Sequence, residues 1–144
     1  MNRIERVRSG ARSPGVYRWS PTALPATVVA ALRSRGITTW SIDAAGAADK
    51  ASFLQACAAG LSLPSWFGQN WDALADSLAD LPVPPSGAAI VLAGVGAYAA
   101  ADPDGLATAL DVFRQACARP DCAPLWVLVA GDYGEPTSLG LASL

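Results

Sequence analysis

Asp72, Asp76 and Asp80 recur at intervals of four, so on a helix the three carboxylates share one face. Immediately before them runs LPSWFGQN, residues 63–70, with Trp66 and Phe67 adjacent between Pro64 and Gly68. No lysine or arginine occurs between residues 51 and 113, so no nearby base in the sequence neutralises these acids. Paired carboxylates can do general acid/base work, as in glycoside hydrolysis. Side chains one helical turn apart project in parallel, however, and do not face each other across a substrate. Carboxylates flanked by planar rings suit a protein interface better, because they offer a basic partner anions at phosphate-like spacing with aromatic surface beside them. The plain alternative is a solvated polar face. Two features weigh against it. Like charges at i, i+4 repel, and Asp80 falls near a helix C-terminus, where the helix dipole disfavours an anion. Trp66 and Phe67 are also hard to bury together in so short a connector.

Other chemistries are thinly supplied. The 144-residue chain has no histidine, which removes the usual general base and the commonest metal ligand. Its cysteines, Cys57, Cys117 and Cys122, are odd in number and form no C-x-x-C, so buried free thiols are expected, with no disulfide framework and no metal site. No cofactor is expected. AIVLAGVGAYA, residues 89–99, places Gly94 and Gly96 after an apolar run, a weak match to the dinucleotide-binding fingerprint. That fingerprint needs a helix opening on its glycines, whereas the next helix signal is Asp102-Pro103. A nucleotide-binding α/β domain therefore stands only as a weak alternative.

Net charge is −2, unevenly spread. Residues 1–35 carry seven arginines against Glu5 alone, a balance of +6. Residues 36–144 carry eleven acids against Lys50, Arg114 and Arg119, a balance of −8. The acidic body should attract a basic partner and repel nucleic acid. Residues 1–14 read as a solvated, poorly ordered tail. They lack the apolar core of a secretory signal, and the apolar run around the later strand, residues 88–101, is too short to span a bilayer. A soluble cytoplasmic protein with no membrane partner is expected.

The elements that must position the acids follow from spacing. GVYRW (15–19) reads as a strand, 25–36 as a helix closed by Gly36, and ITTWSID (37–43) as a strand. Asp49 caps a helix carrying Phe53, Leu54, Cys57 and Leu61, with Gly60 near its end. Asn70 caps the acid-bearing helix, whose apolar stripe is Trp71, Leu74, Ala75 and Leu78. AAIVLA (88–93) and LWVLVA (125–130) are continuous apolar runs suited to buried parallel strands. Between them a helix opens at Asp102-Pro103 and runs through Leu106, Leu110, Phe113 and Cys117. The order β-α-β-α-α-β-α-β implies an α/β layered sandwich with a small, mostly parallel sheet: three core strands and a possible fourth from the N-terminal region.

LSLPSWFGQNWDALADSLADL, residues 61–81, resembles the barstar family, small intracellular inhibitors of secreted guanyl-specific ribonucleases. KASFLQACAAGL before it and LDVFRQACA after it resemble the family's flanking helices, so the resemblance spans about residues 38–130. It implies an N-terminal extension, 1–36, packed on a barstar-like domain, 37–144. It also implies a non-enzymatic inhibitor that forms a 1:1 complex with a basic extracellular ribonuclease. Under the resemblance Asp76 would enter the nuclease active site, Asp72 would pair beside it, and Trp66 would stack over the cleft. Phe67, Gly68, Asn70 and Trp71 would line the contact, and Asp80 would lie at its edge, where the family has a small residue. The family's acidic residue on a later helix falls at Ala107, a departure for which Asp104 or Asp111 are the nearest substitutes. An immunity or interaction module of the same fold, directed at another basic toxin, is the alternative reading.

Overall fold

The structure, a computed structural model, describes residues 2–20, 22–64, 67–131 and 141–143. In chain order the elements are α1 (Arg3–Arg8), β1 (Gly15–Arg18), α2 (Pro25–Ser34), β2 (Thr38–Asp43), α3 (Lys50–Gly60), α4 (Trp71–Ala79), β3 (Ala88–Ala93), α5 (Gly96–Ala101), α6 (Pro103–Cys117), β4 (Leu125–Ala130) and β5 (Ala142–Ser143). The strands form one parallel sheet in the order β2-β3-β4-β1-β5. Register aligns Ile42 with Leu92, Leu92 with Val129, and Val16 with Val127. All six residues of β3 and of β4 are buried, as expected of strands covered on both faces.

The sheet divides the core in two. On one face Ile90, Leu92, Val127 and Val129 pack against Phe53 and Leu54 of α3, Leu74 and Leu78 of α4, Tyr98 of α5, and Leu110 and Phe113 of α6. On the other, Ala89, Val91, Trp126, Leu128 and Ala130 pack under Val7 of α1 and Val28, Val29 and Leu32 of α2. The N-terminal region therefore supplies a whole helical layer and an interior strand. Residues 3–8 are helical, against the expectation of a disordered tail. Asn2 caps them through Glu5 N–H (2.9 Å), and Val7 is fully buried. A six-residue helix is too short to hold in isolation, so burial of Val7 is what orders it.

Two glycines mark close approaches. A Cβ on Gly60 would lie 2.4 Å from the Ser41 carbonyl oxygen and 2.8 Å from Ile42 Cα, so Gly60 lets α3 lie directly on β2. It does not close the helix. That role falls to Ser62 at φ 55, with Leu63 N–H donating to Ala58 O (2.9 Å) in a Schellman stop. Because backbone blocks the Cβ, Gly60→Ala should cost about 1–3 kcal/mol of stability, read from denaturant melts against wild type. Gly94, at φ +70, leaves no room for a side chain either, since a Cβ would sit 2.8 Å from Ala45 backbone atoms. Contrary to the expectation that no helix opens on these glycines, α5 begins at Gly96; it lasts only six residues and packs through Tyr98.

Cys57 and Cys117 are buried and Cys122 is exposed, which corrects the expectation of three buried thiols. Burial pushes Cys57 and Cys117 up from 9.0 to about 12. Tyr98 rises from 10.0 to about 12, first through burial and then through the charge of Asp102. All three shifts are upward, so the stability gained by keeping these groups neutral is whole below about pH 9 and is lost as pH climbs towards 12. Melting temperatures should hold level to about pH 9 and then fall steadily to pH 12, measured by circular dichroism.

Candidate functional site

The acid-bearing segment is built from both ends. The stop at Ser62 turns the chain out of α3, and Phe67 N–H returns to Pro64 O (3.0 Å). Asn70 N–H bonds Gly68 O (2.9 Å), and the Asn70 side chain accepts from Ala73 N–H (2.7 Å), which fixes the start of α4. A cap of this kind is worth about 1 kcal/mol. Gly68 is exposed and lies close to the cap, since a Cβ there would be 3.3 Å from Asn70 Nδ2.

Asp72, Asp76 and Asp80 are all exposed. Asp72 lies in the first turn of α4. Asp80 is the C-cap, with its N–H on the carbonyls of Asp76 and Ser77. None of the three carboxylates has a hydrogen bond or ion pair among the described residues. Leu74 and Leu78 are buried and Trp71 is half-buried, so the expected stripe turns inward at these positions. Ala75 is exposed, a correction: it borders a hollow of about 360 Å³ between α4 and α6 that also touches Asp76, Ala79, Val112 and Arg119.

The aromatic part differs in degree from expectation. Phe67 is half-buried against the core, so it is a wall of the fold as well as surface. Trp66 lies outside the described residues. Trp71 tilts on Phe53 (centroids 6.2 Å, 55°), and Phe53 stacks on Tyr98 (4.8 Å, 17°). Lys50 Nζ lies 5.5 Å from the Trp71 ring centroid. Sequence reasoning missed Lys50, because nothing local links positions 50 and 71; only the packing of α3 beside α4 joins them. The acidic run from 51 to 113 is thus bounded in space by a base at its rim.

On α6, Ala107, Asp104 and Asp111 are exposed. Asp111 is already engaged by Arg114 (2.7 Å), which leaves Asp104 as the α6 candidate without an ion pair among the described residues. No group of His, Cys, Asp or Glu that could hold a metal occurs among the described residues. None of the described helices is long and apolar enough to cross a membrane. The arrangement can do one thing well. It holds unpaired carboxylates on a helix whose apolar side is locked in the core, so little backbone order remains to be gained when a basic partner docks.

A family model described as Barstar (barnase inhibitor) matches residues 37–130. No curated protein matches the chain. Among solved structures, the Aeropyrum pernix ORC2 protein, in a structure of its ADPNP-ADP complexes, is similar with a TM-score of 0.57 and 15% identity, over 95% of this chain and 40% of that one. At that identity the likeness is one of fold alone, and this chain spans less than half of that protein.

Proposed function

The chain belongs to the barstar family, and from that premise we propose that it is a protein inhibitor of a secreted, guanyl-specific ribonuclease. In this reading α4 and the loop before it block the nuclease active site in a 1:1 complex. The observation that carries the reading is the set of exposed carboxylates at 72, 76 and 80, which form no ion pair among the described residues. A ribonuclease site is basic because it must hold a phosphate backbone, and Asp76 with Asp72 would occupy it in place of RNA. Trp66, Phe67, Gly68, Asn70 and Trp71 would form the surrounding contact, with Asp80 at its edge. The protein then acts by occlusion in the cytoplasm, without catalysis or a cofactor. The short α5 and the filled space at Gly94 do not favour a nucleotide site there.

One observation favours a target other than the family's usual one. With Ala107 at the family's acidic position and Asp111 taken up by Arg114, the α6 side of the contact is less anionic. A cognate nuclease or toxin with fewer bases facing α6 fits that surface.

Charge steering supplies the test. The −8 balance of residues 36–144 should speed encounter with a basic nuclease, so association should slow steeply with added salt while dissociation changes little. Stopped-flow binding across ionic strengths reads both rates. An association rate indifferent to salt contradicts steering.

A further inference from the structure

The arginine-rich layer plays no part in the proposed inhibition, and it contains a hollow of its own. About 260 Å³ is enclosed by Val7, Arg8, Arg35, Ile37, Ser86 and Trp126, with Gly36 and Gly87 at the turns. It lies at the seam between α1–α2 and the region matched by the family model, on the side of the sheet opposite α4. The geometry points to this hollow as a binding site for a phosphate ester carrying one flat aromatic base, a ligand no larger than a mononucleotide.

Three observations converge on that chemistry. First, two guanidiniums are already gathered at the hollow: Arg8 Nη1 is 3.6 Å from Glu5 Oε1, and Arg35 Nη1 bonds the same oxygen. One carboxylate between two arginines leaves a net positive charge. Both arginines keep open N–H edges, with side chains 58% and 43% exposed. Such forks suit a phosphate, which can take two parallel hydrogen bonds from each. Second, part of the wall is apolar. Half-buried Ile37 lines it beside the buried Val7 and Trp126, whose indole N–H is spent on Arg12 O (3.1 Å). Inorganic phosphate would leave that wall unused, whereas a ring covers it. Third, the space falls just below the range of about 300–1,000 Å³ usual for drug-sized ligands, which excludes longer chains from the interior. The surrounding +6 balance of residues 1–35 concentrates anions near the mouth.

The ligand could be a free mononucleotide or the phosphorylated end of an RNA strand. Calorimetric titration of the full chain with adenosine 5′-monophosphate, inorganic phosphate and a 5′-phosphorylated ribo-oligonucleotide distinguishes the two. The monophosphate should bind saturably at one site and more tightly than inorganic phosphate. Equal affinity for monophosphate and oligonucleotide marks the free nucleotide as the source, and tighter oligonucleotide binding marks the strand end. Arg8→Ala and Arg35→Ala should each weaken monophosphate binding about tenfold, the scale of one charge-assisted hydrogen bond. Glu5→Gln should strengthen it. Arg33→Ala is the control: it removes the same charge from the same layer, but its guanidinium donates to Thr39 O and does not line the hollow. Arg35→Lys, which preserves the pairing with Glu5 but lacks the fork, should bind weakly while melting like wild type. Absence of saturable monophosphate binding overturns the proposal. So does an Arg33→Ala loss equal to that of Arg35→Ala, since binding would then follow the general field and not the hollow.

Discussion

Asp76→Ala is expected to lose about 2–5 kcal/mol of affinity for the target nuclease, the general range for truncating one partner of a buried charge pair, a range that itself rests partly on the barstar family. Asp76 sits in mid-helix with Asp72 one turn before it and Asp80 one turn after. In a complex it would be desolvated against bases that the substitution leaves stranded. Asp72→Ala should cost less, and Asp80→Ala, at the rim, about 1 kcal/mol or below. Stability of the free protein should move the other way. Asp76 is exposed and has no partner among the described residues, so its removal breaks no contact. It relieves two like-charge pairs worth a few tenths of a kcal/mol each, and alanine gains up to about 0.7 kcal/mol in helix propensity. Calorimetric melting beside binding titration should therefore show Asp76→Ala melting no lower than wild type while binding far more weakly. Asp72→Ala separates the terms, because it also gives up a favourable place in the first turn and should gain less or nothing.

Removing residues 1–36 is the second large expected effect. The family model begins at residue 37, yet in this chain α1 and α2 cover Ala89, Val91, Trp126, Leu128 and Ala130, and β1 pairs along β4. Val7, Val28, Val29 and Leu32 each bury a side chain worth about 1.5–3 kcal/mol, and together they approach the whole stability of an ordinary domain. The truncated protein should lose its cooperative melt, expose the sheet face to hydrophobic dyes and self-associate. A truncation that melts as sharply as the full chain would show that the N-terminal layer is an accessory to a self-sufficient domain.

Much of this layout is legible in the residues. The β3 and β4 runs announce strands buried on both faces, and both prove wholly buried. Asp49, Asn70 and Asp102 cap the helices expected of them, because a side-chain oxygen three residues ahead of a free N–H is a local signal. What escapes the sequence depends on tertiary contact. Helices α1 and α5 are six residues each and are held by Val7 and Tyr98, which no periodicity reveals in so short a span. Gly60, near the end of α3, is a packing contact, while the helix stop is a serine at positive φ. Ala75 fits the apolar period yet borders an open hollow, because α6 packs beneath Leu74 and Leu78 and leaves the next position uncovered. The acids proposed for the site are legible in their spacing and in the family resemblance; Lys50 at its rim is not, since it arrives from another helix.

The inhibitory reading is tested most directly by RNA cleavage. A secreted guanyl-specific ribonuclease is held at fixed concentration while the protein is added to and beyond equimolar amount. Cleavage should fall linearly to nothing at one equivalent, and Asp76→Ala, shown folded by its melt, should leave cleavage largely intact at the same dose. Unchanged cleavage with excess wild-type protein, or equal inhibition by Asp76→Ala, would contradict the account.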